Sequence, residues 1–309
     1  MSKISRLISD FTHEQRIEGR KSEYIKLCAY RLDTFAELMN AEHGDIAVEE
    51  ITSSHIKRYI ANRQELGAES NNTINNNLAT LKVFFNFAIE EGVIDESDNP
   101  MRRIKSLKEA QRVLITFNDA EVKRIISSVP ESNYTNMRNK LILIFLFETG
   151  VRVSELCGIR NDDIARGYIL IRGKGDKERL VYISKTMRKY MRKYENYRDE
   201  RFKHKFNYEI DDNYFLDHSA QGLYRSTINR ILKKHCKMAE VREEVRCSPH
   251  DCRHYFAQKQ LRNGIDIYTL SRLLGHYDTQ ITAKYLRGLA QDDVLDIGRK
   301  HSPLRDMRI

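Results

Sequence analysis

The run Leu141 to Phe147 (Leu-Ile-Leu-Ile-Phe-Leu-Phe) is the longest apolar stretch of the chain, and Gly150 follows it closely. A helix built from it has no polar face to offer water, so it predicts a buried central helix around which a domain must be assembled. The glycine is a natural stop for such a helix. A bilayer span needs about 20 apolar residues, so this run cannot insert into a membrane. At 309 residues the chain is long for a single core, and two domains are expected.

Helical periodicity dominates the first hundred residues. Apolar residues recur at the required spacing in Tyr24-Ile25, Leu27-Cys28, Leu32, Phe35 and Leu38-Met39, and again in Ile74, Leu78, Leu81, Phe84-Phe85 and Phe87-Ala88. A further helix is expected through Ile56, Tyr59 and Ile60, and Ser70 to Thr73 supplies cap residues. Pro100 closes this bundle. From Met101 to Arg112 the chain is basic and weakly apolar, a linker that either lies solvated or crosses a nucleic-acid backbone. The expected domains are residues 1–106 and 107–309.

The second domain opens at Leu114-Ile115-Thr116-Phe117, with Thr116 and Asp119 spaced as a capping box. Tyr168 to Arg172 and Arg179 to Ile183 are β-prone and flank Gly173-Lys174-Gly175-Asp176, which reads as a hairpin. Helices return from Lys185. Ser248-Pro249 is an N-cap with proline at the first helical position, and Asn263-Gly264 and Gly275 are stops. The fold class is therefore mainly α, with a small β-sheet in the second domain.

Lysine and arginine outnumber aspartate and glutamate 53 to 44, a formal charge of +9. That balance fits a polyanionic partner such as nucleic acid, although a merely basic surface is equally open on charge alone. The stretch Lys185 to Lys203 interleaves cations with Tyr190, Tyr194 and Tyr197. It is either a charged outer face with tyrosines packed inward or a phosphate-contacting face. Five irregularly spaced cysteines and no secretory leader imply reduced thiols in a cytoplasmic setting. His250 and His254 have H-x-x-x-H spacing near three of those cysteines, but no C-x-x-C pair completes a zinc site. No metal and no cofactor is expected.

Chemistry gathers between Arg152 and Tyr285: Arg152, Lys174, His250, Arg253, His276 and Tyr285. A phosphodiester under attack gathers negative charge on its non-bridging oxygens, and fixed cations are the direct remedy. Arg152 and Arg253 suit a two-sided clamp because a guanidinium is planar, bidentate and always charged. Tyr285 is the candidate nucleophile, and its phenol, of pKa about 10, needs a base or a positive field. His250, three residues before Arg253, is the candidate base, and His276 a donor to the phosphate. Lys174 is the candidate acid for the leaving oxygen, with Lys177 a rival in the same turn. Glu155 is expected to orient the helix after Arg152. Tyr255, Tyr268 and Tyr277 are read as packing residues.

Four segments carry a resemblance: Glu148-Thr149-Gly150-Val151-Arg152-Val153-Ser154-Glu155-Leu156; Gly173-Lys174-Gly175-Asp176-Lys177-Glu178-Arg179; Pro249-His250-Asp251-Cys252-Arg253-His254; and Leu273-Leu274-Gly275-His276 with Ala283-Lys284-Tyr285. Together they resemble the catalytic boxes of the tyrosine recombinases, the family of phage integrases and Xer recombinases. The helical first domain more loosely resembles that family's core-binding domain, and the second its α+β catalytic domain. The resemblance implies a site-specific recombinase that forms a 3′-phosphotyrosyl bond without metal or ATP. It also implies double-stranded DNA as partner, four protomers on two sites, a tail (Ala290 to Ile309) that docks on a neighbour or on its own domain, and possible accessory proteins. With no arm-binding segment before the bundle, a simple Xer-like or small-element enzyme is expected. Two alternatives stand beside it. A type IB topoisomerase shares the chemistry but carries lysine where His250 stands, and a DNA-binding regulator would have lost catalysis.

Overall fold

The computed structural model describes residues 3–65, 67, 69–108, 115–173, 177–203, 210–276 and 279–286. The chain divides into two compact units, residues 1–111 and 112–309.

The first unit packs α1 (Lys3–Ile17), α2 (Ser22–His43), α3 (Ser53–Glu65) and α4 (Asn71–Glu90) around an aromatic centre. Phe11 of α1 meets Phe84 and Phe87 of α4 edge-on at 5.8 and 5.5 Å, and Phe35 of α2 meets Tyr59 of α3 at 5.3 Å. Such edge-to-face pairs add about 0.5–1.5 kcal/mol each beyond their buried area. The Ser70 side chain caps α4 by accepting from the Thr73 N–H. Sequence patterning did not isolate α1, whose inward residues Ile4, Ile8 and Phe11 stand among polar neighbours. The basic segment after Pro100 is no free strap as far as Lys108. Met101 is buried, Ile104 and Leu107 pack on the same core, and Asn75 exchanges two hydrogen bonds with the Leu107 backbone. Arg112 lies outside the described residues.

In the second unit α6 (Tyr134–Thr149) is the expected central helix, and every residue from Leu141 to Phe147 is buried. Before it, α5 (Asp119–Ser127) is capped two residues later than the expected Thr116, at Asn118. Asn118 and Glu121 form the reciprocal capping pair, both bonds at 2.9 Å, while the Thr116 hydroxyl donates to the Asp251 carbonyl. Both members of the expected pair are committed elsewhere: the Thr116 hydroxyl to Asp251, and the Asp119 carboxylate to Tyr255 and Lys259.

The hairpin pairs β1 (Tyr168–Arg172) with β2 (Glu178–Tyr182) in antiparallel register, Ile171 opposite Arg179. Ile169, Ile171 and Val181 point into the core. Next comes α8 (Lys185–Phe202), packed on α6 through Met187, Met191 and Tyr194. Its tyrosines do pack inward, with Tyr194 donating to the Tyr214 carbonyl at 2.8 Å. Several of its cations are used internally: Arg188 donates to the Ala165 and Arg166 carbonyls, and Lys193 pairs with Glu131. The unit is completed by α7 (Val153–Cys157), α9 (Arg225–Met238), α10 (Pro249–Arg262), α11 (Ile267–Leu274) and α12 (Thr279–Leu286). The expected tail lies outside the described residues. No helix among the described residues is long and apolar enough to cross a membrane.

Candidate active site

Three helix ends build the site. Gly150 closes α6 in a left-handed turn, φ +60°, so that Arg152 becomes the N-cap of α7. A Cβ on Gly150 would stand 2.5 Å from the Phe256 ring, so only glycine lets α10 pack this close. Ser248 caps α10, whose inward face carries Arg253. Gly275 closes α11 at φ +64°, and His276 leaves that turn towards α12, which carries Tyr285.

Arg253 is almost fully buried, yet its charge is well partnered. Nη1 donates to the Gly150 carbonyl at 2.7 Å, and Nη2 donates to the Leu274 carbonyl at 2.6 Å and to His276 Nε2 at 2.8 Å. Two of these acceptors are carbonyls left over at helix ends, where negative partial charge favours a cation. Burial and the nearby Arg152 push the Arg253 pKa down to about 10, so it stays charged near neutrality.

His276 is fixed from both sides. Because a guanidinium can only donate, His276 Nε2 accepts from Arg253, and its Nδ1 carries the proton given to the Thr282 hydroxyl at 2.8 Å. Burial, with the charges of Arg253, Arg152 and Arg179, lowers its pKa to about 4. Thr282 is fully buried and lies three residues before Tyr285, on the same side of α12. Tyr285 is 3% exposed in an apolar pocket with Phe256, Leu261, Leu270 and Leu274. Burial raises its pKa, while the Arg253 guanidinium facing its hydroxyl, and Arg152 beyond, oppose the rise. Its ring stacks on His276 at 6.1 Å.

Arg152 and Glu155 form a unit. The buried Glu155 carboxylate accepts from the Arg152 N–H at 2.7 Å and from Arg152 Nη1 at 2.8 Å, and takes both Nη atoms of Arg179 at 3.0 and 2.7 Å. Burial pushes this carboxyl up, but the bonds and charges of Arg179 and Arg152 outweigh it and hold its pKa at about 2. Glu155 thus orients α7 as expected and carries a second arginine as well.

His250 sits in the first turn of α10 and is exposed, although the surrounding protein still lowers its pKa by desolvation, and Arg253 lowers it further against the pull of Asp251. Between it and Tyr285 stands His254. The rings of His250 and His254 are 4.0 Å apart, those of His254 and Tyr285 5.2 Å. His254 is buried, its Nδ1 has no hydrogen-bond partner, and burial with the neighbouring His250 depresses its pKa to about 4.

Lys174, the candidate acid, lies outside the described residues, while Lys177 is exposed, its carbonyl accepting from the Gly173 N–H at 2.7 Å. Among the described residues no group of three or more His, Cys, Asp or Glu side chains could hold a metal ion. Of the tyrosines read as packing, Tyr255 is buried and donates to Asp119, Tyr268 is instead 70% exposed, and Tyr277 lies outside the described residues. The structure thus gathers Arg152, Arg253, His276 and Tyr285, with His250 at the rim. Sequence reasoning gave no part in this chemistry to Arg179, Thr282 or His254, the last weighed only as a metal ligand. Arg179 and His254 lay inside the quoted segments, and Thr282 was findable from its spacing to Tyr285.

A tyrosine held against clustered guanidinium groups in a mainly helical fold defines the class of enzymes that transfer DNA strands through tyrosine. The chain belongs to the phage integrase family of tyrosine recombinases: residues 116–291 match that family, and residues 7–108 match the phage integrase N-terminal domain. Tyrosine recombinase XerD of Listeria monocytogenes serotype 4b (strain F2365) is 32% identical over 283 residues, covering 90% of this chain and 93% of the relative. Tyrosine recombinase XerC of Thermodesulfovibrio yellowstonii (strain ATCC 51303 / DSM 11347 / YP87) is 31% identical, covering 90% of each. The fold is also that of the XerH site-specific recombinase in its post-cleavage complex with palindromic difH substrate, with TM-score 0.74 and 19% identity over 97% of this chain and 84% of that one. As a member of this family the protein is an enzyme of site-specific DNA recombination. The topoisomerase and inactive-regulator alternatives gain no support from these comparisons.

Proposed function

We propose that recombination by this chain runs through Tyr285, whose hydroxyl attacks the scissile phosphate to leave a 3′-phosphotyrosyl bond and a free 5′ hydroxyl. Arg152 and Arg253 bind the non-bridging oxygens, His250 is the base and His276 the further phosphate donor. Lys174 protonates the leaving oxygen. A 5′ hydroxyl from the partner strand then attacks the linkage and releases Tyr285, so bond energy is conserved. One observation carries this reading: the Tyr285 ring stacks on His276, whose Nε2 is held by the buried Arg253 guanidinium. Fixed cations aimed where charge develops contribute the largest share of such catalysis.

Residues 1–106 would grip the DNA and residues 107–309 perform the chemistry. Family membership carries the rest of the proposal: double-stranded DNA, four protomers on two sites in the cytoplasm, and room for accessory proteins. The test is a suicide duplex built on a site selected by binding from random sequence and nicked beyond the scissile phosphate. Wild type should become covalently attached and Tyr285→Phe should not. An adduct with Tyr285→Phe would remove Tyr285 from its role.

A further inference from the structure

Arg179 is absent from the proposed chemistry, yet it bridges Glu155 and the end of α11. It stands on β2 just after the hairpin turn, with its side chain only 10% exposed. Nη1 and Nη2 take both oxygens of Glu155, and Nε donates to the Leu273 carbonyl at 2.9 Å. Its Cδ and Nη1 fill the space beside Gly275, 3.0 Å from where a Cβ would stand. The last carbonyls of α11 are therefore taken by two arginines, Leu273 by Arg179 and Leu274 by Arg253. His276 emerges from the turn between them.

The charges explain what this does. Glu155 is buried and ionised, and an unpaired carboxylate would draw in the whole fork of Arg152, since that geometry is naturally bidentate. Arg179 already occupies both oxygens from the other side, which leaves Arg152 attached through Nη1 alone, with its side chain 44% exposed. The trio of two arginines and one carboxylate thus keeps one net positive charge facing the site, whereas a lone Arg152–Glu155 pair would keep none.

We infer that Arg179 is a positioning residue for strand cleavage: it neutralises Glu155 so that Arg152 stays available to the phosphate, and it ties the hairpin to the turn that presents His276. The inference rests on the phosphate-clamp reading above. The test is single-turnover cleavage of the same suicide duplex by the full-length chain, with DNA affinity measured alongside. Arg179→Met should cleave about a hundredfold more slowly, comparable to losing one transition-state donor, with affinity changed less than about threefold. The double variant Arg179→Met with Glu155→Gln should regain at least about tenfold over the single one, because the carboxylate that captures Arg152 is gone. A purely structural bridge predicts instead that loss and recovery of cleavage both follow the urea-unfolding midpoints of the variants, whereas a positioning role slows Arg179→Met under conditions where it is fully folded. Arg179→Lys keeps the buried carboxylate paired and so keeps the fold, but loses the fork to Leu273. It should cleave about tenfold more slowly at unchanged affinity.

Wild-type rates in Arg179→Lys, or a double variant no faster than Arg179→Met, would overturn the inference. Absence of an adduct with wild type would instead overturn the clamp reading itself.

Discussion

His254 offers a stability measurement in which packing cancels. The residue is buried, lacks a partner for Nδ1, and has its pKa depressed to about 4 by burial and by His250. In the unfolded chain an imidazole titrates near 6.5, so between pH 6.5 and 4 the unfolded state binds more protons than the folded one, and stability falls as pH falls. Above that window both states are neutral and the residue contributes no pH dependence. At pH 5 the folded state forgoes about 2 kcal/mol through this group, and at pH 7.5 close to nothing. His254→Leu removes the titration. Whatever the substitution does to packing is the same at both pH values, so the difference in ΔΔG between them isolates the imidazole. Urea unfolding of wild type and His254→Leu, followed by circular dichroism at pH 7.5 and pH 5, should show the variant gaining about 2 kcal/mol on wild type at the lower pH. Equal ΔΔG at the two pH values would refute a buried neutral His254. Its place between His250 and Tyr285 also leads us to expect slower cleavage in this variant at either pH.

The two clamp arginines should separate cleanly by stability. Arg253→Met orphans two carbonyls at helix ends and should cost roughly 3 kcal/mol in urea unfolding, whereas Arg152→Met, at a side chain 44% exposed with Glu155 still held by Arg179, should cost under about 1 kcal/mol. Cleavage should collapse in both, and equal stability losses would refute the burial contrast. Gly150→Ala forces a Cβ against the Phe256 ring at positive φ and should cost roughly 3 kcal/mol. Gly275→Ala presses on the Arg179 side chain, which Glu155 and Leu273 hold in place, and should cost about 1–2 kcal/mol in the same assay while slowing cleavage more than that loss explains.

Elements with strong local signals were legible in the sequence. The all-apolar run became the central helix, Ser248-Pro249 capped α10, and the glycine-flanked turn became a hairpin. Each rests on a period, a cap or a turn residue that acts within a few positions. The misreadings came where two local rules competed or where a long-range bond decided. Thr116 and Asn118 both fit a cap, and Thr116 was taken by Asp251, a residue 135 positions away. The same distinction runs through the site. Arg152, Arg253, His276 and Tyr285 stood out as chemistry-bearing types within recognisable segments. Arg179, Thr282 and His254 matter through what they touch, and contacts such as Arg179 to Leu273 or Thr282 to His276 are set by how helix ends meet in space.

One expectation of the sequence meets an apparent contradiction in the structure, and the donor count of Arg253 resolves it. His276 was expected to donate to the phosphate, yet here its Nε2 accepts. Arg253 has five N–H donors. Nη1 uses one on Gly150, and both protons of Nη2 are committed, to Leu274 and to His276. Either fork of a guanidinium, side-on or end-on, includes an Nη2 proton, so two-point binding of a phosphate must displace one of those acceptors. The Leu274 carbonyl is fixed at the end of α11, while the His276 ring can turn about its own bonds. In the proposed reaction His276 is therefore the group that yields. Once released from Arg253 and placed beside a negative phosphate, it loses one cause of its depressed pKa and gains an influence that raises it. A proton on Nε2 then makes it a donor. In the proposed reaction the acceptor seen here and the donor expected from the sequence are two states of one imidazole, and an arriving phosphate would convert the first into the second.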